Sequence, residues 1–374
     1  MTHFGFPLET ILIFLGVVVF SIYLDLFAHK KSKEITVGDA ARWSVFWVGM
    51  ALVFYAYLWL RFDKSWADLY LAGYALEKSL SIDNLMVFMA IFASFGIRGI
   101  LQHRILYYGI VGALVFRAIF VVIGAGLFQA SPWVGFLFAA FVLWSAVQML
   151  RQSGKENKEI EDYSDHWSVR MTGRLMPVYT RLHLDRFFIR QHEMLEKDGE
   201  AEGAATNTPN VPDTTNAPDT AARAGRMGRL YATPAFLCLV AIETSDIAFA
   251  FDSVPAVIAV TQEPLLVYAA MIFAILGLRS LYFVLAALTR YLVHLEKAVI
   301  GLLFFIGAKM ALQSYEHVCA SSSFFGLDLS SYLASACFDI GIHISPGWSL
   351  AIVLGMLALG VVASLLFPAK NDAA

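Results

Sequence analysis

Two stretches of this chain place acids where apolar side chains are expected. Residues 76–87 read LEKSLSIDNLMV and set Glu77, Lys78, Asp83 and Asn84 between the apolar runs Leu69–Leu76 and Leu85–Ile97. From Leu237 the chain reads LCLVAIETSDIAFAFDSVPAVIAV, with Glu243, Asp246, Asp252 and Ser253 inside a second long apolar run. Each charge at membrane depth costs about 2.5–3.5 kcal/mol on insertion scales, so such groups mark function by default. Laying Asp252 on Asp83 gives the same order twice, acid-x5-Asp followed by an amide or hydroxyl. The donors are carboxylate, amide and hydroxyl oxygens, which suit Mn2+, Ca2+ or Mg2+, whereas zinc and copper favour His and Cys. No His/Cys cluster appears in the apolar runs. Pro255 removes the hydrogen bond to the carbonyl of Phe251 and offers one more oxygen beside Asp252.

Spacing limits how these groups act together. Glu243 and Asp246 share a helical face, as do Asp246 and Ser253, but Glu77 and Asp83 diverge by about 120 degrees on a regular helix. Either the helix breaks between them, or they serve different positions along a path. Arg117, in GIVGALVFRAIF, and Arg279, in MIFAILGLRSLYF, occupy similar apolar settings and are expected to pair with or orient the acids, with Lys78 and Lys309 as further supporting charges.

The elements that must position these groups are membrane spans. Of 374 residues, 59% are hydrophobic and 15% charged, with mean hydropathy +0.65, which excludes a soluble core as the economical reading. Runs long enough for a ~30 Å hydrocarbon layer fall near residues 9–28, 43–60, 69–97, 105–128, 132–150, 230–260, 265–289, 298–315 and 347–367. These make about nine transmembrane helices in an all-α polytopic membrane protein. Lys30, Lys31, Lys33, Arg42, Arg98, Arg104, Arg290 and Lys297 fall in alternate connections with the basic central segment, while the opposite connections hold only Arg61 and Lys64. The positive-inside rule then sets the N-terminus outside and the C-terminus in the cytoplasm.

The resulting divisions are two N-terminal spans (1–68), a three-helix unit (69–151), a cytoplasmic segment (152–229), a second three-helix unit (230–315), a periplasmic loop (316–346) and a last span with its tail (347–374). The two units carry their acid motifs on spans of opposite direction, an inverted 3+3 repeat of the kind that holds a transport site at its interface. Within the cytoplasmic segment, residues 166–197 mix aromatic and apolar side chains with Arg170, Arg174, Arg181, Arg186 and Arg190, which points to ordered structure near anionic lipid head groups. Residues 199–225 lack nearly all large apolar side chains and read as a disordered linker. Cys238 reads as a small packing residue. Cys319 and Cys337 share the exterior loop, where a disulfide stabilises by about 3 kcal/mol if the geometry permits.

The segments EKSLSIDN, ETSDIAFAFDSVPA, FAILGLRSLYF and FIGAKM resemble the signature segments of the TerC family of bacterial integral membrane proteins, especially its Alx-like branch. The resemblance covers most of residues 10–315 and, more loosely, the last span. It implies a bacterial inner-membrane protein of the lysine-exporter-like superfamily of duplicated three-helix units, with a place in metal-ion homeostasis. Manganese export is the activity it implies first, and tellurite resistance is the older family label. The linker at 199–225 and the loop at 316–346 are longer than the family pattern.

The expected function is therefore divalent cation efflux, Mn2+ first and Ca2+ or Mg2+ next, through a path lined by Glu77, Asp83, Asn84, Glu243, Asp246, Asp252 and Ser253. The alternative is a membrane scaffold that delivers metal to secreted proteins, works beside the secretion machinery or belongs to a tellurite-resistance complex. An intramembrane aspartyl protease also needs paired acids, but no GxGD loop is present and each second acid is followed by Asn or Ser. No enzyme activity, no cofactor and no nucleic-acid partner is expected; the partners are the cation and the bilayer.

Overall fold

The computed structural model describes residues 2–3, 6–28, 36–153, 166–178, 186–190, 230–261, 263–288, 294–320, 323–324, 327–328 and 344–367. Apolar runs become helices here because a helix satisfies its own backbone hydrogen bonds, the requirement for any segment in hydrocarbon. The first five helices are α1 (Leu8–Ala28), α2 (Val37–Arg61), α3 (Lys64–Ser94), α4 (Ile100–Ala130) and α5 (Pro132–Ser153). A short α6 (Trp167–Leu175) follows, and then α7 (Pro234–Thr261), α8 (Pro264–Ile275), α9 (Leu278–Leu288), α10 (Leu295–Ala320) and α11 (Pro346–Leu366). Local signals set several ends. Thr36 caps α2 by accepting from the Asp39 amide, and Ser345 caps α11 ahead of Pro346 at its first turn.

Every expected span contains a helix, but five of them are long and apolar enough to cross a membrane as they stand: Val37–Arg61, Leu101–Phe128, Trp133–Arg151, Pro234–Thr261 and Pro346–Leu366. The pair α8 and α9, bent by 49° at its break, makes a sixth if it is one span. α3 falls short of the apolar requirement because its own charges, Glu77, Lys78 and Asp83, dilute it. Among the described residues the molecule is thus nearly all helical with five to six candidate membrane spans, as expected of a polytopic membrane protein. Large apolar side chains such as Val45 and Val53 on α2, Val115 and Val122 on α4, and Leu359 and Leu365 on α11 are exposed, as lipid-facing positions require.

Two expectations about helix breaks are settled by the backbone. α3 runs unbroken through Glu77 and Asp83, so the two acids point to different positions and no break realigns them. α7 is a single helix that includes Pro255. The break falls elsewhere, in the expected span 265–289, where Leu276 is extended and Gly277 takes φ +79.

The helices before the central segment pack on those after it. α3 packs on α7 and on α8, α4 packs on α7, and α5 packs on α10. α2 covers α3 and α9, while α11 covers α3 and α10. The apolar core divides into two clusters. One takes α3 from Ala67 to Leu80, α7 from Ala250 to Val260, and α8 with Leu276. The other takes α3 from Leu85 to Phe92, α4 from Leu101 to Leu106, α7 from Ala235 to Ile242, and α9 from Leu278 to Leu285. Between them, α3 contributes Ser81, Asp83 and Asn84, and α7 contributes Glu243, Thr244, Ser245 and Asp246. The acids lie where the apolar core parts.

Part of the central segment is docked on the second cluster, with Val169 of α6 buried in it and Val178 and Phe187 packed against it. Strand β1 (Phe188–Arg190) pairs antiparallel with β2 (Leu230–Ala232), which leads into α7. Thr233 locks this corner, its hydroxyl donating to the carbonyls of Arg186 at 2.9 Å and Phe187 at 3.0 Å. The Arg104 guanidinium lies 5.4 Å from the Phe187 ring centroid. On α6, Ser168 and Val169 face inward, while Trp167, Arg170, Met171, Arg174 and Leu175 form one exposed stripe at helical spacing. The expected linker at 199–225, Cys337 and most of the loop at 316–346 lie outside the described residues.

Candidate functional site

The site forms where α3, α4 and α7 meet between the two apolar clusters. Arg117 of α4 reaches Glu77 of α3 through Nη1 and Asp246 of α7 through Nη2, the latter at 3.2 Å. All three side chains are buried, Glu77 completely, Arg117 to 2% exposure and Asp246 to 5%. A guanidinium suits this place because its planar fork serves two carboxylates from different directions and stays charged in any surroundings. Glu77 and Asp246 are the first acids of the two acid-x5-Asp motifs, so one arginine holds both.

Glu243 extends the site along α7, three residues before Asp246. Its carboxylate rests directly on Gly112 of α4, where a Cβ would overlap both oxygens. Glycine at 112 is therefore the space that admits the acid. Glu243 Oε2, Asp246 Oδ2, Asn84 Nδ2 and Ser253 Oγ are buried with no hydrogen-bond partner among the described residues. Buried polar atoms left unsatisfied are costly; Glu243 Oε2 and Asp246 Oδ2 belong to the acids nearest Arg117, while Asn84 and Ser253 stand two turns along α3 and α7 from Glu77 and Asp246.

The other expected residues divide. Asp83 is half-buried on α3, and Asn84 is buried seven residues from Glu77, close to the same face. Ser253 is buried on α7. The side chain of Asp252 lies outside the described residues. Lys78 does not pair with an acid in its recorded contact: its ammonium donates to the Ala274 carbonyl at 3.0 Å, at the end of α8 beside the break, where helix carbonyls lack internal partners. Arg279 and Lys309 are buried on α9 and α10. Arg279 follows Gly277 by two residues, so the break sets where it emerges. Among the described residues, no three or more His, Cys, Asp or Glu side chains are grouped so as to hold a metal ion; Glu77 and Asp246 meet an arginine instead.

Sequence reasoning missed Gly112, Gly277 and the Ala274 carbonyl. The two glycines carried a signal, since glycine inside a helical run costs stability and has a packing reason when present. A backbone carbonyl carries none. The loop cysteine Cys319 is disulfide-bonded, and Cys238 is free and buried, as its reading as a packing residue requires.

A nearly all-helical chain with several candidate spans and a buried charged seam between packed helices is a polytopic integral membrane protein. The chain belongs to the TerC family: the family described as "Integral membrane protein TerC family" matches residues 62–371. It is 47% identical over 371 residues to the "Tellurium resistance protein TerC" of Serratia marcescens, covering 99% of this chain and 97% of that one. A protein of the same description from Alcaligenes sp is 45% identical over 374 residues, covering 100% of this chain and 98% of the relative. The "Putative membrane-bound redox modulator Alx" of Escherichia coli (strain K12) is 31% identical over 330 residues, 85% of this chain and 91% of that one. The likeness is thus higher to the tellurium resistance proteins than to this Alx relative. Segments 199–225 and 316–346 fall inside the span matched to the Serratia protein. No solved structure matches.

Proposed function

We infer that this protein is an inner-membrane exporter of divalent cations, with Mn2+ as first cargo and Ca2+ or Mg2+ as the next candidates. The observation that carries this reading is the seam: acids from α3 and α7 share one buried arginine where the apolar core parts in two. A merely structural ion pair does not call for Glu243 beside it or for the unsatisfied oxygens of Glu243 and Asp246. Oxygen donors of this kind fit hard cations. Asp83, Asn84, Asp252 and Ser253 extend the path along α3 and α7, with Arg279, Lys78 and Lys309 as supporting charges. No cofactor and no catalytic step is required, and the protein is read as a carrier rather than an enzyme.

An inverted 3+3 repeat within about nine spans, of the lysine-exporter-like kind, is supported by the packing of α3 on α8, α4 on α7 and α5 on α10. The charge pattern supports a bacterial inner-membrane setting with the N-terminus outside and the C-terminus cytoplasmic. The exposed stripe of α6, two arginines among Trp167, Met171 and Leu175, supports a resting place on anionic lipid head groups. A second reading, a membrane component of tellurite resistance or a scaffold for metal delivery, is favoured by the 47% identity to a protein named for tellurium resistance.

Exchange of Asp83→Asn or Asp252→Asn keeps size and removes charge. Each variant is expected to insert at normal levels and to abolish manganese tolerance and export in cells lacking other exporters. Export at the parent rate by both would make the acids structural and sink the reading.

A further inference from the structure

The acids expected to meet a cation meet a tethered one. Glu77 and Asp246 hold matching places in the two motifs, and Arg117 engages one oxygen of each from inside a fully buried seam. A divalent cation takes six or more oxygen ligands, with carboxylates first among them. The lone pairs that Arg117 uses are the ones such an ion needs. Guanidinium and ion therefore compete for Glu77 Oε1 and Asp246 Oδ1.

Resting on the transport reading above, we propose that Arg117 is a built-in counter-ion that holds the acids of the two units together in the cargo-free protein and yields them to the cation. Arg117 holds the two carboxylates close with one positive charge between them, ready for an ion, and its return helps to expel the ion. Glu243 is the next acceptor for a displaced guanidinium. It lies one turn from Asp246, about 4.5 Å along α7, with a buried oxygen that makes no hydrogen bond among the described residues.

The test is Mn2+ binding to the purified full-length protein in detergent, read from the electron paramagnetic resonance of free Mn2+. Arg117→Gln removes the competitor, so it is expected to bind Mn2+ at least about tenfold tighter, the effect of roughly 1.4 kcal/mol. Arg117→Lys keeps the charge but loses the fork and falls between the two; it carries the test alone if Arg117→Gln does not fold. Equal or weaker binding by a folded variant overturns the role of Arg117 while leaving transport standing. Absence of any binding by the parent protein at millimolar Mn2+ overturns both.

Discussion

Gly277 is the residue on which the break between α8 and α9 depends, and replacing it with alanine isolates that dependence. Its φ of +79 lies where a Cβ is strained, at roughly 1–2 kcal/mol for an ordinary residue. A Cβ at 277 would also lie 2.6 Å from Cγ and 2.8 Å from Cβ of Trp47. That ring has little room to retreat, being 1% exposed and packed edge-on against Phe46 with centroids 5.3 Å apart. Overpacking of this kind costs about 1–3 kcal/mol. Gly277→Ala is therefore expected to destabilise the protein by about 3 kcal/mol, read as a lower unfolding temperature of the full chain in detergent by near-ultraviolet circular dichroism. Combining it with Trp47→Ala should return the part of the steric cost owed to the ring and leave the backbone part and the contact with the Cβ that alanine keeps. A double-mutant cycle should then show coupling of about 1–3 kcal/mol. An unchanged unfolding temperature and a cycle with zero coupling would refute both the break and the contact that holds it.

At the site itself, Gly112→Ala pushes against the end of a flexible Glu243 side chain; thermal unfolding should stay within about 1 kcal/mol of the parent while Mn2+ export falls, and unimpaired export would remove Glu243 from the path. Replacing Arg170 and Arg174 by Gln should reduce the thermal stabilisation that phosphatidylglycerol gives the parent protein, by about 1 kcal/mol per arginine near a charged surface; equal stabilisation of both proteins would refute lipid docking by α6. Mass mapping without reductant, on protein from native membranes, should find Cys319 in a disulfide and Cys238 as a thiol, and a free thiol at both would contradict the pairing.

Helix extents were legible because an apolar run must end where the hydrocarbon ends. Thus the run at 9–28 became Leu8–Ala28 and the run at 347–367 became Pro346–Leu366. The partnership of Arg117 with the acids was also legible, since a lone arginine in an apolar run has few tolerable surroundings. Which acids it would take was not. Glu77 and Asp246 stand on different helices, and the rotation of each helix about its axis depends on packing that no local pattern encodes. For the same reason Glu243 could be placed beside Asp246 but not upon Gly112. The break at Gly277 was hidden inside FAILGLRSLYF because one glycine in an apolar run is a weak signal, and the Trp47 ring that lies against it stands on another helix. Lys78 was expected to seek an acid and found a helix-end carbonyl, which the broken helix alone supplies.

The central claim is that the seam between α3, α4 and α7 carries divalent cations across a membrane. Its most direct test is flux in liposomes that contain only the purified protein, with Mn2+, Ca2+ and Mg2+ offered in turn, with and without a pH gradient. The account predicts movement of Mn2+ by the parent protein and none by Asp83→Asn or Asp246→Asn variants incorporated to the same level. Liposomes that move no divalent cation, or variants that move Mn2+ at the parent rate, would contradict it.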